Sequence, residues 1–306
     1  MLTDKVAIVT GSGRGLGRAY AQAMAQAGSA VVVNDVDETA AHETVKSIQD
    51  NGGRAEAVVA PVGDAEVADR LVETAVSKFG RLDTMVTNAG VLRDKTLHRM
   101  SDEDFDVVVR SHLYGTVTCG RAAVRQFKEQ ADGGGRLILI GSPAGMRGGV
   151  GQTSYAAVKS AIAGLVRTWA TECQRINATV NAVIPVALTR MVATIPGMAE
   201  AVEAIERGED APPELRRRGF GRPQDVAPLL VYLASDAAAH ITGQCIGAGG
   251  DRLTLWSHPK EIVTSFREGG WTASEIAASF DATFGASLQA FSRPPRSSDK
   301  TNAGQK

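Results

Sequence analysis

Cysteine, excess charge and long apolar runs are all scarce in this chain of 306 residues. Its three cysteines, Cys119, Cys173 and Cys245, are odd in number, far apart and set among apolar or small neighbours. That pattern speaks against a disulfide framework or a thiolate metal site and for reduced, mostly buried thiols. A formal net charge of −1 gives no electrostatic case for nucleic acid or an anionic membrane surface. No apolar stretch approaches the ~18 residues of a membrane span. Residue 4 is already an acid, unlike a secretory leader. These features predict a cytoplasmic protein that binds no metal, nucleic acid or membrane. What the chain does have is 43% hydrophobic residues, enough for one large, well-buried domain.

Strand-like runs recur at 6–10, 30–34, 55–59, 84–88, 136–140, 179–184 and near 244–246, with helical patterns between them. This alternation predicts an α/β fold: a doubly wound, seven-stranded parallel sheet of the Rossmann type, with helices on both faces. Ligands of such sheets sit at the carboxyl ends of the strands. Thr10, Asn34, Asn88, Ser142 and Pro185 all fall at or just after such ends.

The first strand runs into Gly11-Ser12-Gly13-Arg14-Gly15-Leu16-Gly17, and a helix follows. Strand, glycine turn and helix in that order form a dinucleotide site, because the bare backbone can approach a pyrophosphate and the helix N-terminus supplies free N–H groups. Asp35, eighteen residues past Gly17, ends the second strand, where a carboxylate accepts hydrogen bonds from ribose hydroxyls and repels a 2′-phosphate. Asp35 therefore favours NAD over NADP. Arg14 argues the other way, since a cation in the glycine loop could hold that phosphate; its plainer reading is a solvated loop charge.

Tyr155 and Lys159 are four residues apart on a predicted helix, with Ser142 thirteen positions upstream of Tyr155. The spacing places phenol and ammonium on one helix face. A free tyrosine keeps its proton to pH ~10, and a neighbouring lysine charge is expected to draw that value toward neutrality. Tyr155 would then serve as acid or base toward an alcohol or carbonyl whose oxygen Ser142 positions.

Taken in order, Thr10-Gly11-x-x-x-Gly15-x-Gly17, Asn88-Ala89-Gly90, Ser142 with Tyr155-x-x-x-Lys159, and Val180-Asn181-Ala182-x-x-Pro185 resemble the short-chain dehydrogenases/reductases over residues 1 to about 250. Gly17-Arg18-Ala19-Tyr20, Val31-Val32-Val33-Asn34-Asp35, Leu92-Arg93-Asp94-Lys95 and His112-Leu113-x-Gly115 are similar to a subgroup, the dehydrogenase unit of peroxisomal multifunctional enzyme type 2 and its bacterial relatives. The resemblance implies NAD-dependent hydride transfer between a secondary alcohol and its ketone, with a (3R)-hydroxyacyl-CoA or related steroid as substrate. It implies that Ser142, Tyr155 and Lys159 are catalytic. It also implies cofactor contacts from Gly11, Ser12, Arg14, Gly15, Leu16, Gly17, Asp35, Val62, Asn88, Ala89, Gly90, Tyr155, Lys159, Pro185 and Thr189. Asn88 reads as structural as well, its amide bridging neighbouring strands. The long helices at 102–130 and 154–175 would pair with symmetry mates in a homodimer or homotetramer.

Three departures stand out. His112 occupies the place of a family Asn that helps carry protons from the lysine; it could do similar work, or simply be a buried histidine bonded to a carbonyl. Pro61-Val62 replaces an adenine-side Asp-Val, with Asp64 close by. Pro185-Val186 replaces Pro-Gly beneath the nicotinamide.

Residues 186–220 read as a lid within a domain spanning 1–255. Its Arg216-Arg217-Arg218 run is either a solvated helix face or a contact for CoA phosphates. A helical extension is expected at 256–291, with a capping box at Thr272-Ala273-Ser274-Glu275 and an apolar stripe through Ile276, Phe280, Phe284 and Leu288. Residues 292–306, rich in Pro, Ser, Lys and Gly, read as disordered. The rival readings are a 3-ketoacyl or hydroxysteroid reductase using the same residues, and a dinucleotide-binding regulator without turnover.

Overall fold

Short runs rich in valine, isoleucine and alanine, apolar on both sides, build the sheet, as burial on two faces requires. The strands are β1 (Val6–Thr10), β2 (Ala30–Asp35), β3 (Arg54–Val59), β4 (Thr84–Thr87), β5 (Gly135–Ile140), β6 (Ala178–Pro185), β7 (Cys245–Gly249) and β8 (Arg252–Trp256). They stand in the order β3-β2-β1-β4-β5-β6-β7-β8. The computed structural model describes residues 1–131, 133–193 and 197–289.

β1 to β7 are parallel, so the doubly wound sheet follows the expectation. The eighth strand does not. β8 turns back at Gly250-Asp251 and pairs antiparallel with β7. Its apolar residues point the unexpected way: Leu253 and Leu255 are exposed, while Thr254 and Trp256 are half-buried. Inward-apolar alternation is the usual mark of a half-buried strand, and here it is inverted.

The helices are α1 (Gly15–Gln26), α2 (Glu38–Asp50), α3 (Ala65–Phe79), α4 (Asp102–Val108), α5 (Gly115–Glu129), α6 (Pro143–Arg147), α7 (Thr153–Glu172), α8 (Arg190–Ala193), α9 (Ala199–Glu206), α10 (Pro213–Arg217), α11 (Ala227–Ala234) and α12 (Ala273–Phe284). Leu71, Phe127, Ile162 and Val166 from α3, α5 and α7 cover one face of the sheet. Tyr20, Met24, Ile48 and Leu230 from α1, α2 and α11 cover the other. Among the described residues no helix is long and apolar enough to cross a membrane.

The helix expected over 102–130 is interrupted. Ser101 caps α4 in a reciprocal box with Asp104, but residues Val109–Tyr114 widen into a π-helical turn before α5 resumes. Such bulges shift the register of the following face and gather at functional positions. His112 lies on this one.

The chain divides into two compact units, Met1–Trp256 and a second starting at Ser257. In the second, Thr272 caps α12 in the predicted box with Glu275. Phe280 and Phe284 stack along that helix, their ring centroids 5.3 Å apart. None of the described residues beyond Trp256 is buried. Pro196 of the lid and the tail at 292–306 lie outside the described residues.

Candidate active site

β5 ends at Ile140, and Ser142 caps the short helix α6, its Oγ accepting from the Ala144 N–H at 3.2 Å. α6 packs tightly on α7: Ser160 Oγ donates to the Gly145 carbonyl at 2.6 Å. The helix N-terminus bearing Ser142 is thereby fastened to the helix bearing Tyr155 and Lys159. Ser142 and Lys159 are buried, and Tyr155 is partly so. Lys159 Nζ donates to the Ile140 carbonyl at 2.6 Å and lies 5.7 Å from the Tyr155 ring centroid.

The electrostatics correct one expectation. Burial raises the Tyr155 pKa above that of a free phenol; a Ser142 hydrogen bond opposes the rise and the Asp94 carboxylate adds to it. Burial also draws the Lys159 ammonium down to about 7. Desolvation disfavours charge on either group, so the lysine does not simply pull the phenol toward neutrality.

His112 joins the cluster. Its ring meets the Tyr155 ring edge-on, with centroids 5.3 Å apart and planes at 76°. Nε2 lies 2.9 Å from the Val91 carbonyl. A carbonyl can only accept, so Nε2 carries the proton and Nδ1 is the lone-pair nitrogen. Nδ1 is buried without a partner among the described residues. Burial, then the Lys159 charge, lowers this histidine to about 3 against a smaller opposing effect of the Val91 carbonyl, so it is neutral. Gly90 is obligatory beneath it, since a Cβ there would stand 1.9 Å from His112 Cε1.

The glycine loop lies beside this cluster at the point where the strand order turns from β1 to β4. Asn88 Nδ2 donates to the carbonyls of Thr10 at 2.9 Å and Gly11 at 3.0 Å, the strand bridge expected of it. Ala89 N–H donates to Thr10 Oγ1 at 3.0 Å. A Cβ on Gly17 would lie 2.1 Å from the Gly11 carbonyl, so α1 and the loop touch backbone to backbone. Ser12 turns inward, donating to the Val9 carbonyl at 2.6 Å and accepting from Asn34 N–H at 3.1 Å; its hydroxyl is not free for a ligand. Leu16 packs against the core.

A dinucleotide fits these residues. The N-cap of α1, Arg14, provides no side-chain cap, the first turn has no acid, and nothing stands within 4 Å of where a Gly15 Cβ would project. The N–H groups at that terminus thus lack the usual side-chain acceptor and suit a pyrophosphate. Asp35 is fixed for a ribose, its Oδ2 accepting from Gly13 N–H at 2.9 Å and Oδ1 from Asp37 N–H at 3.1 Å.

The remaining predicted contacts are more scattered. Val62 packs beside Gly115. Asp64, considered as a substitute acid at the adenine side, pairs with Arg110 at 3.1 Å. Pro185 ends β6, and the Thr189 carbonyl receives the first turn of α8. Within the arginine run, Arg216 is engaged by Asp225 at 3.1 Å and Asp251 at 2.7 Å, while Arg218 lies over Phe220. The run is not a single cationic surface.

Sequence reasoning missed the link between residues 94–95 and the start of α7. Gln152 donates to Asp94 at 3.2 Å, and Lys95 bridges Gln152 through the backbone. It also missed that Arg14 pairs with Asp37. An Asp just before Glu38-Thr39 signals a helix cap, but no spacing reveals a partner twenty-three residues away.

Most of the chain is similar to known proteins. Residues 11–250 match the family described as Enoyl-(Acyl carrier protein) reductase. A 3-oxoacyl-(acyl-carrier-protein) reductase of Synechocystis is 41% identical over 81% of this chain and 97% of its own. The hydroxyacyl-CoA dehydrogenase ChsB1 of Mycobacterium tuberculosis is 38% identical over 90% of this chain and 87% of its own. Mouse peroxisomal multifunctional enzyme type 2 is 37% identical over 89% of this chain, a match that spans 35% of that longer protein. The crystal structure of a short chain dehydrogenase from Mycobacterium avium superposes with a TM-score of 0.79 at 32% identity, covering 96% of this chain and 98% of that one.

Proposed function

The chain belongs to the short-chain dehydrogenase/reductase family and is an oxidoreductase acting on CH–OH groups, and we propose that it oxidises a 3-hydroxyacyl-CoA or a closely related thioester with NAD. The observation that carries this reading is the packing of Ser142, Tyr155, Lys159 and His112 at the end of β5, beside an uncapped helix N-terminus and the ordered Asp35 carboxylate.

A nicotinamide dinucleotide held at the glycine loop by its pyrophosphate would supply the hydride acceptor. Ser142 holds the substrate oxygen. Tyr155, as the phenolate that Lys159 stabilises, takes its proton and becomes the neutral phenol. Asp35 takes the adenosine ribose, Asn88 keeps the loop in place, and Pro185 and Thr189 border the nicotinamide side.

Two facts favour a CoA thioester over other alcohols. The matches to ChsB1 and to the mouse enzyme, at 89–90% of this chain, are longer than the first unit and extend beyond Trp256, whereas the Synechocystis reductase matches 81%. Leu97 and Val150 are also exposed, 74% and 97%, on the two segments joined at Lys95 and Gln152, where they offer apolar contacts to an acyl chain. The Synechocystis relative, at 41% identity, supports a second reading, reduction of a 3-oxoacyl thioester with the same residues. The homo-oligomer belongs to the same proposal, paired through the outer faces of α5 and α7.

The test is NADH formation from medium-chain (3R)-hydroxyacyl-CoA, alongside hydroxysteroids and the reverse reaction. Tyr155→Phe should lower turnover about 10³-fold with NAD affinity nearly intact. Comparable turnover in the variant overturns the assignment of Tyr155; activity confined to the other substrates overturns the thioester.

A further inference from the structure

We propose that Asp37 is a specificity-determining residue that excludes NADP by occupying Arg14, the glycine-loop cation that would otherwise receive a 2′-phosphate. The inference rests on the reading of this loop as the adenosine-ribose site.

The geometry is a small charge latch at the end of β2. Arg14 stands at the N-cap of α1, and its guanidinium pairs with Asp37 Oδ2. Asp37 cannot easily yield, because its other oxygen, Oδ1, accepts from Ala40 N–H at 3.0 Å and caps α2. The Ala40 bond, followed by the arginine, holds its carboxyl below the ordinary range. Asp35 stands two residues before it, both its oxygens held by backbone N–H groups from Gly13 and Asp37. Of the nearby cations, Arg18 lies 3.7 Å from Glu43 on α2. Asp37 is paired with the Arg14 guanidinium and Asp35 with backbone N–H groups, so two carboxylates and one paired cation leave the local charge negative where a 2′-phosphate would arrive.

The consequence differs from that of an Asp35 rule alone. Removing Asp35 leaves Arg14 still engaged. Neutralising Asp37 frees the guanidinium, whose planar fork suits phosphate, and removes one of the two repelling charges. Both changes together are needed for a full exchange of preference. Asn caps a helix about as well as Asp, so Asp37→Asn keeps the fold while deleting the ion pair.

Calorimetric titration of the purified protein with AMP and with adenosine 2′,5′-bisphosphate reads the latch without turnover. Asp37→Asn should bind the bisphosphate about fivefold more tightly than the parent, the scale of an exposed ion pair. Asp35→Ser/Asp37→Asn should gain more than the sum of the two single changes. Arg14→Ala in the Asp37→Asn background should remove most of the gain, and added salt should shrink it. The kcat/KM ratio for NADP over NAD should rise in the same order. Unchanged bisphosphate affinity in Asp37→Asn, or a gain that Arg14→Ala leaves undiminished, overturns the latch. Failure of every variant and the parent to bind AMP overturns the ribose-site reading instead.

Discussion

Replacing Gly90 by alanine tests whether the histidine cluster is as tightly built as its geometry implies. The new Cβ would stand 1.9 Å from His112 Cε1 and 2.5 Å from each ring nitrogen. Carbon atoms rest about 3.5–4.0 Å apart, so the ring or the loop must retreat by roughly 2 Å. The ring has little room to move. It is 3% exposed, its Nε2 is tied to the Val91 carbonyl, and its neighbour is the Tyr155 ring. Overpacking costs about 1–3 kcal/mol, and losing the buried bond to Val91 adds about 1–3 kcal/mol. A loss near 2–6 kcal/mol follows, which is roughly 4–24 °C in Tm for a unit of this size. Calorimetry or tryptophan fluorescence reads the transition. The decisive measurement is a double-mutant cycle with His112→Ala. With the ring gone, Gly90→Ala should cost under about 1 kcal/mol, a coupling of at least about 1 kcal/mol. Equal costs in the two backgrounds would falsify the claim that the glycine exists to admit the imidazole.

Burial of ionisable groups makes two further outcomes measurable by urea titration across pH. The unfolded chain protonates His112 near pH 6.5, whereas the folded chain holds out to about 3. Stability is therefore lost as pH falls through that window, by up to about 5 kcal/mol at 1.36 kcal/mol per unit, and His112→Phe should flatten the slope; an unchanged slope refutes the buried neutral ring. Lys159, lowered from 10.5 to about 7, works in the alkaline range: stability contributed by the neutral amine is lost as pH falls from 10.5 to 7 and stays lost below. Lys159→Met should consequently raise the urea midpoint at pH 6–7 by the equivalent of about 1–3 kcal/mol while turnover collapses. A variant less stable than its parent at pH 6–7 contradicts the desolvation argument.

How much of this was legible depended on the range of the interaction. The seven parallel strands could be read because both-face burial writes itself as continuous runs such as Val6–Thr10. Asn88 could be read because its position after a strand end and its amide chemistry admit few roles. β8 was hidden by its outward leucines. The π-helical turn at Val109–Tyr114 was hidden because helical periodicity counts residues and not hydrogen bonds. The arginine run looked like one feature, yet Asp251, thirty-five residues on, takes Arg216 out of it. Arg14 likewise reads as a free loop charge in the sequence, while in the fold Asp37 pairs with it from twenty-three residues away.

The Tyr155–Lys159 pair shows the same limit in its electrostatics. Spacing brings a cation near a phenol, and pairwise reasoning then lowers the phenol. Inside the fold, each group loses solvation, and burial moves them toward the same outcome: a neutral phenol, an amine near its midpoint at neutral pH, and beside them a neutral imidazole. Such neighbours titrate as a set and not as independent sites. A proton shifted from Tyr155 to Lys159 converts two neutral groups into an ion pair without adding net charge to the buried site, which is far less costly than ionising the phenol alone. The Ile140 carbonyl, 2.6 Å from Lys159 Nζ, and the Ser142 hydroxyl beside the phenol are placed to favour the charged form of each. The reactive phenolate is thus a property of the buried pair, and a substitution that exposes either member to water should weaken it even where both residues remain.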